Sequence, residues 1–131
     1  CEALGADCYH AGTVDPAHMQ EYYQAADLAV VPSEFEEPFG MVAIEAMAAG
    51  TPVLATRRGG LPEIIADGAT GFLFDDAKNH SAFAQRLDEL LGAPAQLEAV
   101  RRAARDYVER HHDWRTVGAQ LEAVYRELLA R

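Results

Sequence analysis

The spacing of apolar residues changes period several times along the chain. From Met41 to Ala49 every residue but Glu45 is apolar, and this run, having no polar face, predicts a helix buried on most sides. Pro38 and Gly40 interrupt the chain before it. Gly50 stands where a left-handed C-terminal cap belongs, and Pro52 cannot continue the helix. Two short continuous runs, Leu28-Ala29-Val30-Val31 and Val53-Leu54-Ala55-Thr56, predict buried strands, the first a central parallel one. Upstream, a loop over 2–7 leads to a short strand over 8–11 that ends at Gly12. A helix then opens at Pro16 under an Asp15 cap, with Met19, Tyr22, Tyr23 and Ala26 turned inward. Downstream come a short helix over 61–66, a turn at Asp67-Gly68 and a strand over 71–74. Strands end there. A helix over 81–91 carries Phe83, Leu87, Leu90 and Leu91 on one side, and Pro94 precedes a second over 95–110. Asp113 caps a last helix over 114–130 with Val117, Leu121, Val124, Tyr125 and Leu128 on its apolar side. Strand–helix–strand alternation with right-handed crossovers predicts an α/β fold on a parallel sheet.

Composition narrows the function classes. Half of the 131 residues are apolar, enough for the core of one domain. A formal charge of -10 argues against nucleic acid or an anionic membrane as partner. A field of that sign does not draw in a nucleotide diphosphate either, so any grip on phosphate has to be local. Cys1 and Cys8 form no C-x-x-C pair and have no metal-ligand neighbours, so they are expected to be reduced structural thiols in a cytoplasmic protein. No apolar run is long enough to span a bilayer. His10, His18, His80, His111 and His112 lack metal-ligand company and are expected at the surface, with no metal site.

The chemistry concentrates at the break before residue 41. A carboxylate on an otherwise apolar helix is costly unless something donates to it. Glu45 is therefore either held in an internal ion pair or capping contact, or faces a cleft where it binds ligand hydroxyls. The helix start favours the cleft: free amides around Gly40 to Val42 point from the positive end of the dipole, and Gly40 has no side chain to block a phosphate. A phosphate at the tip and a carboxylate one turn on suit a nucleotide, with Glu45 reaching its ribose. Glu34 and Glu36 are expected to be a solvated acidic loop. Gly59-Gly60 is expected to be a backbone turn, and Arg57 and Arg58 to be exposed loop arginines. The pair Glu37 and Glu45 also suits the acid and nucleophile of a glycosidase, but hydrolysis of a simple glycoside needs no anion site at a helix tip.

The run from Pro32-Ser33-Glu34-Phe35-Glu36-Glu37-Pro38-Phe39-Gly40 through Pro52-Val53-Leu54-Ala55-Thr56, with its E-x7-E pair Glu37 and Glu45, resembles the retaining GT-B glycosyltransferases, most closely family 4 ("glycosyl transferases group 1"). The similarity continues through Gly59-Gly60-Leu61-Pro62-Glu63-Ile64-Ile65, Asp67-Gly68 and Thr70-Gly71-Phe72-Leu73-Phe74, and weakens after about Asp76. It implies the incomplete C-terminal, donor-binding domain of such an enzyme over 1–131: a Rossmann-like parallel sheet with flanking helices and a helical tail that in the family crosses to the other domain. The resemblance further implies that Glu37 contacts the donor sugar as the catalytic-site carboxylate. Phe39, Gly40, Met41 and Val42 would lie at its sugar and phosphate, Glu45 at the ribose, and Gly12-Thr13-Val14 near the nucleobase. A nucleotide sugar is then the donor, with no other cofactor and no metal.

The family also has an N-terminal acceptor domain, and an Arg and a Lys that neutralise the diphosphate. No Lys precedes Lys78 here and no Arg precedes Arg57, so this polypeptide alone is expected to be inactive as a transferase, its activity belonging to a longer enzyme that includes the missing domain. A non-catalytic nucleotide-binding or interaction module of the same fold is the alternative. A nucleotide-sugar epimerase fits the Glu-Pro-Phe-Gly context less well.

Overall fold

The computed structural model describes residues 8–130; Cys1 and the loop expected over 2–7 lie outside the described residues. Three strands, β1 (Ala29–Val31), β2 (Val53–Thr56) and β3 (Phe72–Phe74), form a parallel sheet in the order β1-β2-β3. Val30 pairs with Leu54 and Ala55 with Leu73. The helices are α1 (Met19–Ala25), α2 (Met41–Ala49), α3 (Leu61–Ile64), α4 (His80–Leu91), α5 (Pro94–His111) and α6 (Trp114–Leu129), with a 3-10 turn over Pro16–His18 leading into α1.

Alternation along β2 splits the core in two. Val53 and Ala55 pack with Ala43, Ile44, Ala46 and Met47 of α2 and with Ala104 and Val108 of α5. Leu54 and Phe72 face the other way, onto Leu90 of α4 and onto Leu97 and Val100 of α5. The 18 residues of α5 thus serve both faces of the sheet. Each connection obeys its local chemistry. Asp15 accepts from the Ala17 amide, and Asp113 from that of Arg115. Gly50 takes φ 83°, and the amides of Gly50 and Thr51 return to the Met47 and Ala46 carbonyls, closing α2 with a Schellman motif.

Several expectations change. Residues 8–11 form no strand, because among the described residues nothing pairs with them, and a strand needs a ladder. Among the described residues β1, expected to be central, lies at the edge of the sheet: its one described neighbour is β2, and Val30 is exposed. Tyr22 is exposed while Met19, Tyr23 and Ala26 are half-buried, since the inward stripe of α1 takes only one of two adjacent tyrosines. Leu91 is exposed beyond the buried Leu90. His112 is not a surface residue: it sits half-buried against Tyr107 and Phe39. Cys8 is a free, exposed thiol rather than a packed one.

The largest change concerns α2. Its buried residues are Ala43, Ile44, Ala46 and Met47, whereas Met41, Val42, Glu45 and Ala48 are exposed. The apolar run predicts burial on most sides, and one exposed stripe is found. Met41, Glu45 and Ala48 recur at the i, i+4, i+7 spacing of a single helical face, so the lone carboxylate marks the side that the rest of the described chain leaves open.

Candidate functional site

The site grows from the loop between β1 and α2. Thr56, fully buried at the end of β2, donates from Oγ1 to the Ser33 carbonyl at 2.7 Å, fixing the chain as it leaves β1. Ser33 Oγ in turn donates to Glu37 Oε2 at 3.1 Å. The Glu37 carbonyl accepts from the Gly60 amide at 2.7 Å, so both the side chain and the backbone of Glu37 are held.

This grip explains the two glycines after β2. Gly59 has φ 52°, and a Cβ there would fall onto the backbone of Glu37. A Cβ on Gly60 would stand 3.0 Å from the Pro38 carbonyl. The turn packs flat against Glu37-Pro38-Phe39. Glu36 belongs to the same junction: its Oε2 accepts from the Gly59 amide at 2.6 Å, and its other oxygen lies 3.7 Å from Arg58 Nη1. It is a strut between two loops rather than a merely solvated charge. Arg57 bridges Asp75 at 2.6 Å and Asp67 at 3.1 Å. Both arginines of this turn therefore have carboxylate partners within the chain.

Gly40 begins α2 at φ 94°, and a Cβ there would come within 2.8 Å of Leu61 Cδ2. No side chain caps the helix. The amides of Ala43 and Ile44 return to the Gly40 carbonyl, which leaves those of Gly40, Met41 and Val42 without a main-chain partner among the described residues. Partial positive charge collects at such an end. Phe39, Met41 and Val42 are about half exposed around it.

One turn further, Glu45 has no ion pair among the described residues. Its contact is the Tyr23 hydroxyl, which donates to Oε2 at 3.1 Å. Burial, then the hydrogen bond and the negative charge of Glu45, push the Tyr23 phenol up to about 12. Tyr23 and Glu45 share the wall of a cleft of about 330 Å³ between α1 and α2, with Pro16, Met19, Gln20 and Ala48 also lining it. Gly12, Thr13 and Val14 lie just upstream of Pro16, with Gly12 and Thr13 exposed and Gly12 at φ 70°. A second hollow of about 200 Å³ lies beside the helix start, between Phe39, Met41, His112, Trp114 and Val117.

Glu37, Phe39, Gly40, Met41 and Val42 are thus gathered at the tip of α2, and Glu45 opens onto the adjoining cleft. Sequence reasoning misses Tyr23 and Ser33 as partners of the two glutamates. Tyr23 fits an apolar stripe and reads as core, although a half-buried phenol carries a hydroxyl that needs a partner. Nothing in the local pattern around Ser33 announces its contact. Among the described residues no group of His, Cys, Asp or Glu is placed to hold a metal ion, and no helix is long and apolar enough to cross a membrane.

Comparison with known proteins adds an independent line. Residues 2–107 match the family described as glycosyl transferases group 1. The D-inositol 3-phosphate glycosyltransferase of Corynebacterium glutamicum is 44% identical over 117 residues, 88% of this chain and 27% of that protein. Among solved structures, sucrose-phosphate synthase from Thermosynechococcus elongatus superposes with a TM-score of 0.84 at 38% identity, over 92% of this chain and 30% of that one. Anabaena HepE in complex with UDP-glucose superposes at 0.76 with 26% identity, over 82% of this chain and 29% of its own. The chain spans under a third of the length of each of these relatives.

Proposed function

Because the chain belongs to the glycosyl transferases group 1 family, we propose that it forms the donor side of a glycosyl transfer and binds a nucleotide-diphosphate sugar. The diphosphate sits at the amino end of α2, against Phe39, Gly40, Met41 and Val42. Glu45 accepts from ribose hydroxyls, Glu37 contacts the sugar being transferred, and the nucleobase lies toward Gly12, Thr13 and Val14. The observation that carries this reading is the tip of α2: uncapped, preceded by a glycine in the left-handed region, and followed by a carboxylate with no internal ion pair among the described residues.

In the complete protein the sugar passes to an acceptor with retention of configuration, as in family 4 of the GT-B enzymes, without a metal and in the cytoplasm. The residues at the tip act on the departing diphosphate: the helix amides receive developing negative charge, while Ser33 and Gly60 keep Glu37 in register with the sugar. Residues 1–131, part of the C-terminal donor domain, then work against an acceptor domain elsewhere in the full protein.

For the chain by itself, a binding role without catalysis is supported by the arginines. Arg57 and Arg58 already pair with Asp67, Asp75 and Glu36, and each preorganised donor missing from a transition state costs roughly a hundred- to a thousand-fold in rate. Calorimetric titration with UDP, GDP and ADP tests the proposal. One of the three is expected to bind, Glu45→Gln to weaken it by about tenfold or more, and the matching nucleotide sugar to bind without turnover. A folded chain that takes up none of the three nucleotides refutes the reading.

A further inference from the structure

The contact between Tyr23 and Glu45 asks more of Tyr23 than packing. A glutamate on an open helix face turns freely about its last torsion, whose energy profile is broad. Here one of its oxygens is fixed. The Tyr23 ring is half-buried against the core beneath α2. Its own carbonyl accepts from Thr51 Oγ1 at 2.6 Å, and Thr51 is buried where α2 ends. The hydroxyl is therefore delivered to Oε2 by a half-buried ring on a backbone anchored to the end of α2. With its phenol raised to about 12 it remains a donor throughout the neutral range. Oε1 is left without a partner among the described residues, in the wall of the cleft that Tyr23 also lines.

We propose that Tyr23 is the positioning residue for sugar recognition: by holding Oε2 it presents Oε1 of Glu45 to a hydroxyl of the nucleotide's ribose, and so sets the preference for ribonucleotides over deoxyribonucleotides. This rests on the donor-site reading of Glu45 above. A tyrosine that only packs would support both kinds of nucleotide equally. One that aims a carboxylate at a hydroxyl matters chiefly when that hydroxyl is present.

The experiment titrates the protein with UDP, GDP and ADP, each beside its deoxyribonucleoside counterpart, in the native, Tyr23→Phe, Thr51→Val and Glu45→Gln forms. The native protein is expected to prefer the ribonucleotide. Tyr23→Phe should cut that preference roughly three- to tenfold, with deoxyribonucleotide affinity changed less than about twofold. Thr51→Val keeps both side chains but loosens the anchor of Tyr23, and should show the same selective loss at smaller size. It also serves as the second reading should the phenylalanine variant fold poorly. If both variants keep the native preference, or lower the two affinities in parallel, while Glu45→Gln abolishes the preference, the positioning role is overturned and the ribose assignment stands. If the native protein binds nucleotide with no preference and Glu45→Gln changes nothing, the assignment of Glu45 itself fails, and this inference with it.

Discussion

Gly59 shows how one residue without a side chain keeps Glu37 in place. Its φ of 52° lies in the left-handed region, and the space its Cβ would need is filled by the backbone of Glu37. The left-handed conformation alone costs an alanine about 1 kcal/mol, but the clash is the larger effect, because backbone cannot swing aside as a flexible side chain does. Gly40 is the contrast: the atom it would meet is the end of the Leu61 side chain. Gly59→Ala is therefore expected to push the 57–60 turn away from Glu37, lowering stability by about 2 kcal/mol or more and weakening nucleotide-sugar binding more than binding of the bare nucleotide. Denaturant melts and calorimetry on the same samples check this. Equal losses for both ligands would show that Glu37 does not meet the sugar.

Among elements, α2 and the corner between α5 and α6 meet at Phe39. The α5 helix ends on His112, whose amide returns to the Val108 carbonyl at 2.8 Å. Its ring stands edge-on to Phe39 at 6.0 Å and beside Tyr107 at 5.5 Å, with Nε2 buried and unpartnered among the described residues. Burial, then the neighbouring His111, lowers this imidazole below its ordinary value of 6.5. An unfolded His112 takes its proton first as the pH falls, so the unfolded state binds more protons and folding stability drops. The contribution is complete above pH 6.5 and is lost as the pH falls through the lowered folded value. The stability curves of the native protein and His112→Gln are expected to run parallel above pH 6.5, and the native protein to lose stability relative to the variant as the pH falls from 6.5 through the lowered folded value. Parallel curves across that range would remove His112 as the cause.

At the scale of the molecule, two features stand apart from the core. The charge of -10 surrounds the uncapped start of α2, so on the proposed reading affinity for an anion there rests on local geometry rather than on long-range attraction. The other feature is α6. Trp114, Val117, Leu121, Val124, Tyr125 and Leu128 form its apolar side, and all are exposed among the described residues. A residue that covers no core stabilises little. Leu121→Ser with Leu128→Ser is expected to shift the unfolding free energy of this chain by no more than about 0.5 kcal/mol per site. Phe72→Ala, at the centre of the second core, should cost about 3–5 kcal/mol. Thermal and denaturant melts of the two variants separate the cases. A large loss from α6 would mean that its face is covered in solution.

Local chemistry was enough for most of the elements and for picking out the candidate residues around the start of α2. Apolar runs, Asp15, Asp113 and Gly50 mark where helices and strands begin and end, because caps and breakers act within a few residues. Glu37, Gly40 and Glu45 stand out as an acid, a break and a lone charge within nine positions. What the chain could not declare by itself is which groups meet across distance. Only the packing of α1 on α2 brings the Tyr23 hydroxyl to Glu45, 22 residues away. Only the turn after β2, folded back on the loop after β1, gives Gly59 and Gly60 their role at Glu37. The open stripe on α2 and the place of β1 at the edge of the described sheet were likewise hidden. Hydrophobicity tells a residue whether it favours an interior, and tertiary contacts alone decide whether an interior is there to receive it.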